Sequence, residues 1–176
     1  MQRKRTWWIK QWEHDSVLSR AHPPGPFAYV LVLDRLKASY NVAKILRSAN
    51  VLGAREVHLC GMEKFDPSPG KGALRHTRTR VFASTVESLQ ALREEGYVLH
   101  ALTVDGTATL GHCTLPEKSA FVMGHEEWGF SFDVQAEGLA TLRIAQFGLV
   151  QSLNVSIAAS LAAFEWCRQH ARVAQG

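Results

Sequence analysis

A change of period in the apolar pattern constrains this chain more than any other feature. Residues 27–33 form an uninterrupted apolar run, after which Val42, Ile45, Leu46, Ala49 and Leu52 fall at i, i+3, i+4, i+7 and i+10, with Gly53 as the stop. The run has the length of a strand buried on both faces, and the spacing that follows is one stripe of a helix over Asn41–Leu52. The alternation then repeats. Strands are expected at Glu56–Cys60, Val81–Ala83, Tyr97–Val104, Ala120–Met123 and Thr141–Ile144, and a Gly/Pro-rich loop at 61–77. Ser84 with Glu87 three residues on reads as a capping box opening a helix over 84–95, closed before Gly96, and a last helix is expected over Leu153–His170. Strands that alternate with helices need crossover connections. The expected class is therefore α/β, a mostly parallel sheet with helices on both faces and ligands at the carboxyl ends of the strands.

With 176 residues, 46% of them hydrophobic, the chain has room for about one packed domain. Pro23, Pro24 and Pro26 around Gly25 interrupt any helix and divide a 1–25 arm from a 26–176 domain. The arm mixes Arg3, Lys4, Arg5, Lys10 and Arg20 with Trp7, Trp8 and Trp12. Such a mixture suits phosphate pairing with base stacking, although tryptophans near a terminus more often dock the segment onto its own domain, and the arm's role stays open. Residues 1–80 carry 15 Lys and Arg against 6 Asp and Glu, whereas residues 81–176 carry 5 against 10. A basic half and an acidic half make nucleic acid a candidate partner. No stretch approaches the ~20 apolar residues of a membrane span, so a cytoplasmic protein is expected. Cys60, Cys113 and Cys167 have neither disulfide nor zinc-finger spacing.

Several chemistries lose support from the sequence. There is no Gly-x-x-x-x-Gly-Lys-Ser/Thr, no Gly-x-Gly-x-x-Gly after the first strand and no Gly-x-Ser-x-Gly elbow. His125-Glu126-Glu127-Trp128-Gly129 starts like a zinc-protease helix but has Gly where the second His is needed, so no metal is expected. Three segments at strand ends remain. Asn41–Gly53 puts Asn41 and Lys44 near each other on a helix and Arg47 within about 120° of Asn41. Gly124–Ser131 follows a strand, with glycines that let backbone pass close to a ligand. Gly148–Ser156, reading Gly-Leu-Val-Gln-Ser-Leu-Asn-Val-Ser, runs into the last helix and exposes the free N–H groups of its start.

In order and spacing these three segments resemble the motifs of the SpoU or TrmH-type branch of the SPOUT RNA methyltransferases, over about Phe27 to Gln169. The resemblance implies a deep C-terminal trefoil knot, a homodimer, and S-adenosylmethionine as donor of a methyl group to a ribose 2′-hydroxyl. It implies Arg47 as the catalytic residue, positioned by Asn41, with Glu126, Ser152 and Asn154 completing the site. The cofactor is expected in loops near Leu102, Gly124, Gly129, Ile144, Gly148 and Leu153. Lys44 and the basic loop residues Lys71, Arg75, Arg78 and Arg80 are expected to contact RNA. The Gln before Ser152 resembles the tRNA guanosine branch, which makes tRNA the expected substrate and ribosomal RNA the nearest rival.

Whether Arg47 removes a proton or only orients the ribose stays open, since a guanidinium remains protonated unless an unusual partner activates it. The chain departs from the family pattern at Ala145 and Gln146, where Pro-Met is usual, and at His125 and Glu127 in the second motif. These departures bear on cofactor affinity, with Glu127 expected to add charge near the cofactor. A catalytically inactive RNA-binding module is the rival from another class. Ser156, Ala159, Ser160 and Ala163 form a small-residue stripe that could pack within the chain or across a dimer.

Overall fold

The computed structural model describes residues 2–37 and 40–172, and the side chains from residue 7 onward within them, so the Arg3, Lys4 and Arg5 cations of the arm lie outside the described side chains. A seven-stranded sheet comprises β1 (Tyr29–Asp34), β2 (Glu56–Cys60), β3 (Thr79–Phe82), β4 (Val98–Leu102), β5 (Ala108–Thr109), β6 (Ser119–Met123) and β7 (Ala140–Arg143), in the order β3-β2-β1-β6-β4-β7-β5. Every pairing is parallel. Parallel strands need cover on both faces, and the central ones obtain it: every residue of β1, β2 and β6 is buried.

Alternation along β1 sends its residues to two separate cores. Tyr29, Leu31 and Leu33 join Ile45 and Leu46 of α2 (Tyr40–Val51) and Ala159, Ala163 and Trp166 of α5 (Val155–His170). Val30 and Val32 join Leu89 and Leu92 of α4 (Thr85–Glu94), with Phe130, Phe132 and Val134 completing the cover on that face. The Ser84 hydroxyl accepts the Glu87 N–H at the start of α4, as its sequence suggests. The small-residue stripe of α5 packs within the chain: Ala159 and Ala163 are buried, and the Ser160 hydroxyl donates to Ser48 of α2 over 2.7 Å.

The N-terminal segment forms α1 (Gln2–Ala21), which packs against the short α3 (Ala73–His76) and β3. Its docked surface is largely polar. Asp15, Ser16 and Ser19 are buried, Ser19 donates to the Thr77 carbonyl over 2.6 Å, and the rings of Trp12 and Phe65 meet edge-on. Docking through small polar side chains leaves no apolar stripe, which is why sequence periodicity did not predict this helix.

Two further features position the site. Gly106 lies where an added Cβ would sit 2.5 Å from the Leu142 carbonyl carbon, so the segment after β4 passes hard against β7. In the middle of the sheet, where β1 and β6 are neighbours, the connection leaving β1 runs toward β2 while that leaving β6 runs toward β7. The loops after β1 and β6 therefore part, and a crevice opens above their carboxyl ends.

Candidate active site

The three sequence segments converge at the carboxyl ends of the strands, where one hydrogen-bonded chain joins them. The Asn41 side-chain amide donates to Glu126 Oε1 over 3.0 Å, and the Asn154 amide donates to Asn41 Oδ1 over 3.2 Å. Asn154 Oδ1 accepts the Ser156 N–H over 2.9 Å, capping α5, and the Ser156 hydroxyl over 2.6 Å. The direction of this chain follows from its end. A carboxylate only accepts, so Asn41 must offer its NH₂ to Glu126, which leaves its oxygen for Asn154, whose own oxygen then caps the helix. Glu126 Oε2 also accepts the Lys37 N–H over 3.2 Å. Burial by itself would raise the Glu126 pKa. The Asn41 bond, then backbone N–H groups and nearby His125, outweigh burial and hold the carboxyl below its usual range.

Beside this chain lies a cleft of about 370 Å³, lined by Leu102, Gly124, Leu142, Ile144 and Leu153 among others, with Glu126, Ser152 and Asn154 on its polar side. Four of the six residues expected at the cofactor, Leu102, Gly124, Ile144 and Leu153, thus share one cleft. Gly129 and Gly148 are not on it. Gly129 instead supports it: Gly129 and His125 exchange backbone hydrogen bonds of 2.8 and 2.9 Å, and a Cβ on Gly124 would sit 2.8 Å from the Gly129 carbonyl carbon. Gly148 is exposed in the loop before α5. Thr103, which the sequence did not single out, contributes a hydroxyl buried in the cleft wall without a partner among the described residues. An apolar wall with a few polar groups and an orphaned hydroxyl fits a nucleoside-sized ligand.

Arg47 does not touch this cleft. It is exposed on α2 and, among the described residues, makes no hydrogen bond or ion pair. Asn41 is engaged with Glu126 and Asn154 in the bonds just described, so none of those bonds positions Arg47. Lys44 and Lys71 are also exposed, and Arg75 lies 3.7 Å from the buried Asp15 carboxylate. Arg78 and Arg80 sit at the opposite, amino end of the sheet. Both bind Glu56, over 3.0 and 3.2 Å, and Arg80 also binds Glu95 over 2.7 Å. Glu127 stands outside the cleft as well, 3.3 Å from Lys37 Nζ in the neighbouring crevice. The loop carrying it is anchored by Asp34, which accepts the Ser131 N–H over 2.7 Å and its hydroxyl over 2.6 Å. No cluster of three or more His, Cys, Asp or Glu that could hold a metal ion occurs among the described residues.

Comparison with known proteins agrees with this arrangement. A tRNA (guanosine(18)-2′-O)-methyltransferase of Thermus thermophilus is 28% identical over 160 residues, covering 88% of this chain and 80% of that protein. A 23S rRNA (guanosine-2′-O-)-methyltransferase RlmB of Neisseria meningitidis is 28% identical over 145 residues, covering 80% of this chain but only 58% of that protein. Among solved structures, a TrmH-family protein from Porphyromonas gingivalis superposes with a TM-score of 0.70 at 33% identity, covering 85% of this chain and 63% of that one. Residues 28–164 match the model of the SpoU rRNA Methylase family, and the chain belongs to that family.

Proposed function

We propose that the protein is an S-adenosylmethionine-dependent RNA 2′-O-ribose methyltransferase. The observation that carries this reading is the Glu126–Asn41–Asn154–Ser156 chain, which ties three distant segments together at the edge of a nucleoside-sized cleft. The 370 Å³ cleft with its orphaned Thr103 hydroxyl suits the donor, held by main-chain groups and the apolar side chains of Leu102, Ile144 and Leu153. S-adenosylmethionine supplies an electrophilic methyl group when bound. The protein's part is to align the ribose hydroxyl and exclude competing water, and such alignment can contribute several kcal/mol of the barrier. Arg47, with no partner of its own among the described residues, is the hydrogen-bond donor available to a ribose or phosphate oxygen.

A guanosine in tRNA is the substrate we favour, because the Thermus relative of that name is covered over 80% of its length. Ribosomal RNA is the second reading, supported by the RlmB relatives. A cytoplasmic site of action accompanies either substrate, and no helix among the described residues is long and apolar enough to cross a membrane. We further propose a homodimer, supported by exposed apolar side chains on the outer surfaces of α2 and α5, among them Val51, Ile157, Leu161 and Phe164. The carboxyl-terminal third is proposed to thread as a trefoil knot, which the close passage of Gly106 past β7 supports. Residues 1–25 are proposed as an accessory arm to a 26–176 catalytic domain, with Lys44, Lys71 and Arg75 as exposed cations for RNA.

The test is incubation with labelled S-adenosylmethionine and separated tRNA and ribosomal RNA, followed by mapping of the labelled nucleotide. Label on a ribose 2′-oxygen of tRNA is expected. Absence of label in both RNAs, together with no calorimetric binding of the cofactor, would overturn the proposal.

A further inference from the structure

The crevice above β1 and β6 is separate from the donor cleft, and its lining is unusual. It has a volume of about 430 Å³ and is walled by Arg35 and Lys37 after β1, Gly61 to Glu63 after β2, and His125 with Glu127 to Ser131 after β6. Its most prominent residue is Trp128, which is 76% exposed. One face of its indole lies on the His125 ring, with centroids 4.3 Å apart and planes within 14° of parallel. Among the described residues no other ring stacks on it. The loop beneath is closed by the paired His125 and Gly129 backbones, and the Glu127 N–H donates to His125 Nδ1 over 3.0 Å. The indole is therefore displayed by a short, cross-braced loop, with one face covered and one open.

A large apolar ring held open to water in this way needs a reason, because such a ring normally gains by burial. A second flat ring is the ligand that fits the free face. The cations nearby narrow its chemistry. Among the described residues the Arg35 guanidinium has no hydrogen-bond or ion-pair partner, and the Lys37 ammonium has only the exposed contact to Glu127. Indole and cations side by side match a nucleotide, with its base on the ring and its phosphate on the charges. His125 lines both this crevice and the donor cleft, so the two adjoin.

We infer that Trp128 is a stacking platform for an unpaired base of the RNA substrate, with Arg35 and Lys37 receiving its phosphate. The inference rests on the proposed RNA methyltransferase activity and adds to it a contact that places the substrate beside the donor cleft. A base stacked here is displaced from any helical stack, so the platform selects single-stranded or loop nucleotides over duplex.

The experiment is titration of the full chain, as wild type, Trp128→Ala and Trp128→Phe, with an unstructured RNA of about twelve nucleotides, a length within the usual span of single-strand sites. Binding is read by fluorescence anisotropy of the labelled RNA, and S-adenosylmethionine binding is read separately by calorimetry. Trp128→Ala is expected to weaken RNA binding about tenfold. Trp128→Phe, which keeps a flat ring, should stay within about threefold of wild type, and cofactor affinity should be the same in all three. An Ala variant that binds RNA as the wild type does would overturn the inference, as would equal losses in the Ala and Phe variants. A wild type that binds RNA through Trp128 but transfers no methyl group would overturn the proposed activity and leave the platform standing.

Discussion

At the amino ends of the strands Glu56 is buried and receives Arg78, Arg80 and the His58 ring; at the carboxyl ends Glu126 is exposed and receives the Asn41 amide and one backbone N–H. Burial lowers the His58 pKa and keeps the ring neutral, so the two arginines carry the charge that balances Glu56. That end holds β2 to β3 through ion pairs of Arg78 and Arg80 with Glu56 and of Arg80 with Glu95. At the other end, amides fix the carboxylate's direction without neutralising it, the Thr103 hydroxyl has no partner among the described residues, and Arg47 and Trp128 face solvent. Cations in the sequence therefore do not by themselves mark a binding surface. What marks it is a charged or aromatic group that the fold presents but does not pair.

The largest effect that would sharpen this contrast is at Arg47. Arg47→Ala is expected to reduce methyl transfer by about 100- to 1,000-fold, the usual loss for removing one donor to a reacting oxygen. The urea midpoint should not change, because Arg47 makes no hydrogen bond or ion pair among the described residues. Near-normal turnover would remove Arg47 from the site.

Glu56→Gln should do the reverse, costing about 2–3 kcal/mol of stability while leaving cofactor affinity unchanged. The loss is set below the ~3–5 kcal/mol of a fully buried pair because Arg78 and Arg80 can regain water. Burial alone would raise the Glu56 pKa, but the hydrogen bonds from His58 and Arg80 prevail and hold it at about 2 against an ordinary 4.5. The unfolded chain thus takes up this proton before the folded one does. Glu56 contributes its full stability above about pH 4.5 and loses it as pH falls toward about 2. Urea melts across that window should slope in wild type and flatten in the variant.

The same contrast explains what could be read from sequence. β2 appears at the predicted Glu56–Cys60, and α2 begins one residue before its predicted start, because buried parallel strands and amphipathic helices write their periods directly into apolar spacing. The helix α1 was not foreseen, since Asp15, Ser16 and Ser19 form its buried positions among the described side chains and leave no apolar period to read. β5, of two residues, is too short to carry a period. At the site, Asn41, Glu126 and Asn154 were named from the motif resemblance and are bonded to one another. Arg78 and Arg80 were named as RNA contacts from the local density of Lys and Arg over 71–80; the carboxylates that pair them, Glu56 and Glu95, lie 22 and 15 residues away and are invisible to local composition.

A smaller effect is expected where the two roles meet in one residue. Asn154 caps α5 and also carries the chain to Asn41, so Asn154→Ala should cost about 1 kcal/mol of stability from the lost cap. It should also slow methyl transfer on the order of tenfold, the scale of one neutral hydrogen bond. A stability loss without a rate loss would show that the Asn41–Asn154 contact serves the helix alone.

A small stability effect and the sharpest test of the crevice belong to Lys37→Ala. The Lys37–Glu127 pair is 3.3 Å long between side chains 65% and 56% exposed, so its removal should change stability by less than about 0.5 kcal/mol. RNA binding should respond differently. Removing one cation that receives a phosphate lowers the slope of log affinity against log salt by about 0.7 for a single strand. The slope, measured between low and moderate salt, separates the two ends of the sheet. It should fall for Lys37→Ala and stay constant for Arg80→Ala, whose guanidinium is already matched by Glu56 and Glu95. Equal slopes for the two variants would mean that the exposed, loosely paired cation and the firmly paired one meet RNA alike, and the distinction between the two ends would fail.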